Sequence, residues 1–312
     1  MKSIIETYQN YISRFDDLKK FIEYLERHRK YYNLNREILY AGVVSRCYSL
    51  WETFNKNIVF EYYQKIKEEL ITSGQLIQKL KLNELPAFIV EEGNYNRENN
   101  YVYYELKEEF ITFTSKNMEI NQMTTLFDRV NIKIKEKLVN NKNINSVIEE
   151  NPSAFNIDLV DDNALKKSLK MIIDERNIIS HYATIDEYKD LSYIKGWIKL
   201  YMTLLQEIIK SVGFELSIKD YFSQIGEFKN YLTQNNILCI DLYDKIQIKK
   251  SSLIGIVRNG SMTDIVIPLS FKIDEIEQQN ASANDKVGIK LKSYFNHEVR
   301  ISDTSKIFLL VE

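Results

Sequence analysis

The period of the hydrophobic pattern changes once along the 312 residues, near residue 232, and this change limits the available folds more than any other feature. Before it, Leu, Ile, Tyr and Phe recur at three- and four-residue intervals among Lys and Glu, which lines apolar side chains along one stripe of a helix. After it, short β-branched runs alternate with turn residues, as strands do. Only three prolines (Pro86, Pro152 and Pro268) and nine glycines interrupt the chain. The expected fold class is therefore α + β in separate domains: an N-terminal all-α helical bundle with an insertion, then a C-terminal small β-barrel.

The boundaries read as a helical domain over 1–213 with an insertion at about 86–120, a helical connector over 214–235, and a barrel domain over 236–312. Within the first, the spacing predicts helices over 2–31 and from about 36 to 71, separated by a break at Tyr32-Asn33-Leu34-Asn35 that offers an N-cap. Gly74 and Pro86 then end the pattern. The stretch YVYYELKEEFITFTS suits two short strands or one helix. A helix over 122–140, an Asn-rich loop over 140–162, a helix over 163–183 capped by Asp162 or Asn163, and a helix over 187–212 stopped by Gly213 follow. Residues 216–233 read as a helical connector. Beyond them ILCIDLYDKIQI, LIGIVRN, DIVIPLSFKI, KVGIKLKS and KIFLLVE read as strands, and Asn259-Gly260 as a tight hairpin turn.

Composition removes several function classes. A net charge of −2 and a pI near 6.1 give no global attraction to nucleic acid, which argues against a non-specific coat and leaves room for a local basic patch. Cys47 and Cys239 lie far apart in apolar contexts, and with three scattered histidines (His28, His181 and His297) no metal-ligand spacing emerges. No P-loop or GxGxxG sequence is present, so no cofactor and no metal are expected. No apolar run reaches the ~18 residues that span a bilayer. The first twenty residues lack a signal core, so the expected location is cytoplasmic and away from membranes.

The chemistry concentrates in the helix over 163–183. On a helical wheel Leu165, Leu169, Ile172, Ile173 and Ile179 share one sector, and Arg176 falls near its middle. A guanidinium stays charged, so either it meets a carboxylate or the face borders a polar cleft. Asn177 and His181, four residues apart, share a neighbouring face, with Met171 and Ile178 beyond as a smaller apolar patch. Two apolar faces separated by Asn and His suit packing on the domain itself and on a second subunit. A histidine with an ordinary pKa of ~6.5 can move a proton at neutral pH, an arginine can grip phosphate oxygens, and an amide can orient either. Such residues support metal-independent RNA cleavage, with the adjacent 2′-hydroxyl as nucleophile. On spacing alone, a salt-bridged Arg and a helix-end His remain the plainer reading. Arg27-His28-Arg29-Lys30 reads as a dipole-matched helix end or an RNA-backbone contact. Tyr101, Tyr103 and Tyr104 read as core residues or base-stacking platforms.

The segment DERNIISHYA resembles the Arg-x4–6-His signature of HEPN domains, and LYAGVVSRCYSLWETFNKNIVFEYY resembles the early helix of HEPN-like nucleases of bacterial toxin and defence loci, with Tyr48-Ser49 and Trp51-Glu52 in the matching steps. The resemblance covers roughly residues 1–212. It implies a HEPN helical bundle, a homodimer with a composite site, and metal-independent endoribonuclease activity leaving a cyclic phosphate. Arg176 and His181 would be the catalytic pair, Asn177 the supporting polar residue, and Glu52 a further catalytic residue, although the wheel sets it opposite the apolar face. A toxin-like or antiviral effector of this kind would act on tRNA or other ribosome-associated RNA, with room for a neutralising or activating protein partner. The rival is a non-catalytic HEPN dimerisation module whose barrel binds a protein. The C-terminal strands faintly resemble the second-domain barrel of elongation factors.

Overall fold

The computed structural model describes residues 1–72, 108–181, 185, 187–219, 221–274, 276–282 and 284–311. Most of the expected insertion, with Tyr101, Tyr103 and Tyr104, lies outside the described residues. The chain forms two compact units, Ser3–Glu207 and Met1–Lys2 with Ile208–Glu312. Among the described residues helices run to Ile218, and strands with one short 3-10 helix (Thr233–Asn235) follow. No helix among the described residues is long and apolar enough to cross a membrane.

In the helical unit α1 (Lys2–Arg27) buries Ile4, Ile5, Tyr8, Tyr11, Phe15, Leu18, Ile22 and Leu25, the three-and-four spacing of a single stripe. The break comes earlier than expected, at His28, whose ring Nδ1–H donates to Tyr24 O (2.9 Å) and which stacks on Tyr24. A short α2 (Arg29–Leu34) occupies part of the expected break. Asn35 donates its side-chain amide to Tyr31 O, closing α2, while its backbone carbonyl accepts from Leu39 N and begins the next helix. In α3 (Arg36–Thr72) one broad face is buried, with Val43, Val44, Cys47, Tyr48, Trp51, Phe54, Asn55 and Ile58 all essentially inaccessible, while Gly42, Arg46, Ser49 and Thr53 form an exposed stripe.

The expected helix over 122–140 is two, α5 (Ile120–Asp128) and α6 (Ile134–Leu138), which follow a short α4 (Glu108–Thr112). Asn131, at φ 66°, turns the chain between them. The expected Asn-rich loop holds α7 (Lys142–Glu150) and α8 (Pro152–Phe155). Its asparagines and proline are helix starts: Asn141 accepts from the N–H groups of Asn143 and Ile144, and Pro152 stands where no intrahelical donor is needed. The expected helix over 163–183 is α9 (Ala164–His181), begun where Asn163 O accepts from Lys167 N. The last, α10 (Leu191–Ile218), runs through Gly213 instead of stopping there. A Cβ on Gly213 would lie 2.8 Å from Met262 Sδ, so this glycine serves close packing. The indole of Trp51 stacks on Tyr201 of α10 at 5.0 Å, and Phe15 meets the same tyrosine at 5.9 Å, joining α1, α3 and α10. Truncating a buried aromatic of this kind to alanine costs about 3–5 kcal/mol.

In the second unit the expected helical connector is the end of α10 followed by β1 (Ser223–Gln224) and β2 (Gly226–Leu232). Then come β3 (Ile237–Leu242), β4 (Ile248–Lys249), β5 (Leu253–Arg258), β6 (Ser261–Ile273), β7 (Ile276–Gln278), β8 (Asn280–Ala281), β9 (Lys286–Ser293) and β10 (Lys306–Val311). The main sheet runs β1-β10-β5-β6-β9-β3-β2, and its pairings are antiparallel. Its first and last members are one stretch of chain, interrupted only at Ile225. That residue donates to Ile307 O on one side (2.9 Å) and accepts from Tyr243 N on the other (3.0 Å), which brings the sheet almost to a closed barrel. At the seam Gly226 passes so near β3 that a Cβ would lie 2.2 Å from Asp241 O. Along β3 and β9 side chains alternate inward and outward, and Leu238, Ile240, Ile254, Ile256, Val266, Phe271, Val287 and Ile289 fill the interior. Asn259 and Gly260 both have positive φ and join β5 to β6 as expected. Pro268 sits at a shift in the β6–β9 register, where a missing N–H costs the ladder little.

Candidate functional site

The sequence places Arg176 on an apolar stripe, and the packing of α9 shows how that is tolerated. Ala164, Leu165, Ser168, Leu169, Ile172 and Ile173 are buried along the helix, but the burial ends before Arg176, which is half-buried. Its Nη1 donates to Asn177 Oδ1 at 3.1 Å, and its guanidinium lies over the Tyr48 ring of α3, 4.9 Å from the centroid. No carboxylate among the described residues lies within ion-pairing distance of it. Of the two readings the wheel left open, the polar cleft is the one the geometry favours.

The other wall of this cleft comes from the segment between α4 and α5. Asn117 donates its amide to Asn177 Oδ1 at 3.3 Å and accepts from the Tyr48 hydroxyl at 3.4 Å. That hydroxyl also accepts the Met118 backbone N–H (2.9 Å), while the Trp51 indole N–H donates to Met118 O (3.0 Å). Two successive turns of α3 thus hold both backbone groups of Met118 and set Asn117 in place. Arg129 braces the same segment, donating to Ile111 O at 2.8 Å and Phe113 O at 2.7 Å. Sequence reasoning named Tyr48 only as a family-like step and missed Asn117, which no spacing pattern connects to α9.

Glu52 is half-buried and paired with Lys56 at 2.7 Å, one turn along α3 from Tyr48. It stands at the flank of the buried face of α3, between the buried Tyr48 and Asn55 and the exposed Ser49 and Thr53. Its carboxylate helps hold the Tyr48 hydroxyl protonated. Burial is the main cause, the Met118 amide and Arg176 act in the other direction, and the balance pushes Tyr48 up to about 12. His181 is the last residue of α9 and is exposed. Five residues of helix separate it from Arg176, about 7.5 Å of rise and about 140° of rotation, so the two side chains of one chain leave the helix in different directions. The structure therefore gathers Arg176, Asn177, Asn117, Tyr48 and Glu52, and places His181 one turn further on.

A second contact fixes the far end of α9. Tyr40 donates to the buried Glu175 carboxylate at 2.5 Å and accepts from Lys189 N at 3.2 Å, tying α3, α9 and the approach to α10 together. Burial and then the Glu175 carboxylate push the Tyr40 hydroxyl far above its ordinary value. Burial does the same to Tyr201. Each group favours its protonated form in the folded state, so its contribution is complete below the ordinary value of 10.0 and lost as pH rises through the folded value. The helical unit should therefore unfold cooperatively above pH 10, with these tyrosines ionising only as helix content falls. Parallel alkaline titrations of tyrosinate absorbance and circular dichroism check this, and full ionisation with the helices intact would contradict it.

Among the described residues no group of three or more His, Cys, Asp or Glu could hold a metal ion. What the cleft offers is a fixed guanidinium, two amides and a neutral phenol, a set that recognises an anion with flanking hydrogen-bonding groups. The family model described as HEPN_MAE_28990-like HEPN matches residues 4–221, more than half of the chain and all of the residues of the cleft. Comparison with curated proteins gives no match.

Proposed function

The chain belongs to the HEPN family, and from that premise we propose that it is a metal-independent endoribonuclease, a toxin-like or antiviral effector that cuts tRNA or other translation-associated RNA. HEPN domains more broadly are nucleases, RNA-binding domains or interaction modules. The observation that supports cleavage most is Arg176: a half-buried guanidinium, stacked on Tyr48 and steadied by Asn177, with no carboxylate to neutralise it among the described residues. Such a charge favours an anion supplied from outside, and an RNA phosphate matches its planar pair of donors.

In this reading the 2′-hydroxyl of the substrate attacks the adjacent phosphorus. Its proton passes to a base, the bond to the 5′-oxygen breaks, and that oxygen takes a proton as it leaves. His181 is the residue suited to proton transfer, Arg176 stabilises the charge that develops on the phosphoryl oxygens, and Asn177 holds the guanidinium in place. Since Arg176 and His181 diverge on one helix, the reading includes a homodimer in which a second α9 completes the site across a two-fold axis. The exposed Ile178 and the half-buried Met171 on the outer side of α9 suit that contact.

Wild type and His181→Ala should be incubated with total RNA in the presence of a chelator, the ends of the products analysed, and the mass in solution measured by light scattering. Cleavage by wild type with cyclic-phosphate ends, its loss in the variant, and a dimeric mass are the expected results. Equal cleavage by both proteins would overturn the role of His181. A monomeric mass with full activity would overturn the shared site. Absence of cleavage across substrates would leave the chain an interaction module with a protein-binding barrel.

A further inference from the structure

The outer side of the barrel carries a groove of about 890 Å³ that the site on α9 does not use. Strand alternation builds it: β9 sends Val287, Ile289 and Leu291 inward, so Lys286, Gly288 and Lys290 face out. Cross-strand register sets Gly288 beside Cys239 of β3 on one side and Lys272 of β6 on the other, and Lys290 beside Ile237 and Ser270. Because Gly288 has no side chain, backbone is exposed at the centre of a row of lysines. A Cβ there would meet nothing nearer than 3.6 Å, so the gap is open space rather than a packing need.

Positive charge is in excess along this groove, where four lysines face Asp241 and Asp274. Lys272, Lys286 and Lys290 are exposed, and no carboxylate among the described residues lies within ion-pairing distance of them. Of the acids lining the groove, Asp241 is already engaged by Lys229 at 3.4 Å, and Asp274 stands at the end of β6. Register sets Asp241 opposite Lys286 and Glu277 opposite Lys272, yet a chain whose net charge is −2 still carries a local excess of lysines along one channel with an apolar and backbone floor. We propose that this groove is a track for the sugar–phosphate backbone of single-stranded RNA. Flexible ammonium groups on both sides neutralise phosphates, and the groove, with no aromatic side chain among its lining residues, binds without reading sequence. The choice of RNA over an acidic protein segment rests on the nuclease reading above.

The test uses the full-length chain and a single-stranded RNA methylated at every 2′-oxygen, which cannot be cleaved by attack of its own hydroxyl. Failure of the nuclease reading therefore leaves the binding measurement intact, and failure of the groove leaves cleavage by the wild type intact. Fluorescence anisotropy should show binding that weakens with salt. The K272E/K286E/K290E variant should bind about 10- to 100-fold more weakly at low salt, with a log–log salt slope shallower by about 2, since each phosphate contact to a single strand contributes roughly 0.7. Cys239 gives a second readout at the groove floor, because the other cysteine, Cys47, is buried. The RNA should slow maleimide labelling of wild type at Cys239, which also guards against a variant that misfolds. Equal affinity of wild type and variant, or unchanged labelling at saturating RNA, would overturn the proposal. So would binding of polyglutamate in preference to RNA, which would assign the groove to an acidic protein segment.

Discussion

Gly226→Ala should destabilise the barrel by about 3 kcal/mol or more, at or above the top of the usual range of roughly 1–3 kcal/mol for overpacking a well-packed interior. The cause is steric. A Cβ at residue 226 would sit 2.2 Å from Asp241 O and 2.9 Å from the same residue's carbonyl carbon. Neither is the end of a flexible side chain, so relief requires β2 to move away from β3. That movement breaks the pairing of Gly226 with Leu242 and pulls on Ile225, which bonds both edges of the sheet. Thermal melting followed by strand-sensitive circular dichroism reads the loss. Gly288→Ala is the matched control, since its added Cβ meets only ordinary contacts, and it should melt as wild type does. Equal melting of both variants and wild type would show that the seam tolerates a side chain.

Arg176→Ala should reduce RNA cleavage by about 10²–10³-fold, the usual loss on removing a group that stabilises transition-state charge. The same change should leave the melting temperature almost unmoved, because the side chain is half-buried and has no carboxylate to strand. Arg176→Lys should not restore activity. An ammonium lacks the planar fork that meets two phosphate oxygens, and it cannot lie flat on the Tyr48 ring. Single-turnover cleavage without added metal measures the effect. Retention of full activity in Arg176→Ala would remove Arg176 from the reaction.

The long helices and the barrel strands were legible because their periods persist over many residues. Thus α1, α3, α9 and α10, and the β5–β6 hairpin at Asn259-Gly260, emerge close to their expected places. Errors came where one residue type has two uses. Asn141 and Pro152 look like loop formers, yet each starts a helix, and Gly213 looks like a stop although it serves close packing against Met262. Strand β2 was read as helical because most of its residues lie open to solvent, so the alternation that marks β3 and β9 is weak. The candidate site divides in the same way. Arg176 and Asn177 could be found from one helix, whereas Asn117 lies 60 residues from Asn177 and only the fold joins them. The wheel sets Glu52 opposite the apolar face of α3, whereas the buried Val44, Tyr48 and Asn55 widen that face until it reaches Glu52, which is half-buried.

The closure of the barrel has a consequence for the order in which the protein can be made. Strand β10 lies between β1 and β5, although it is the last strand of the barrel along the chain. A ribosome delivers β1 first and must finish Val311 before that gap can be filled. Until then the flanks of β1 and β5 stand open as unpaired edges, the kind of surface through which growing chains stick to one another. Synthesis of β10 and protection of the barrel's edges are thus a single late event. The helical unit between Ser3 and Glu207 has no such dependence, and its pairing partners are all available well before the barrel can seal.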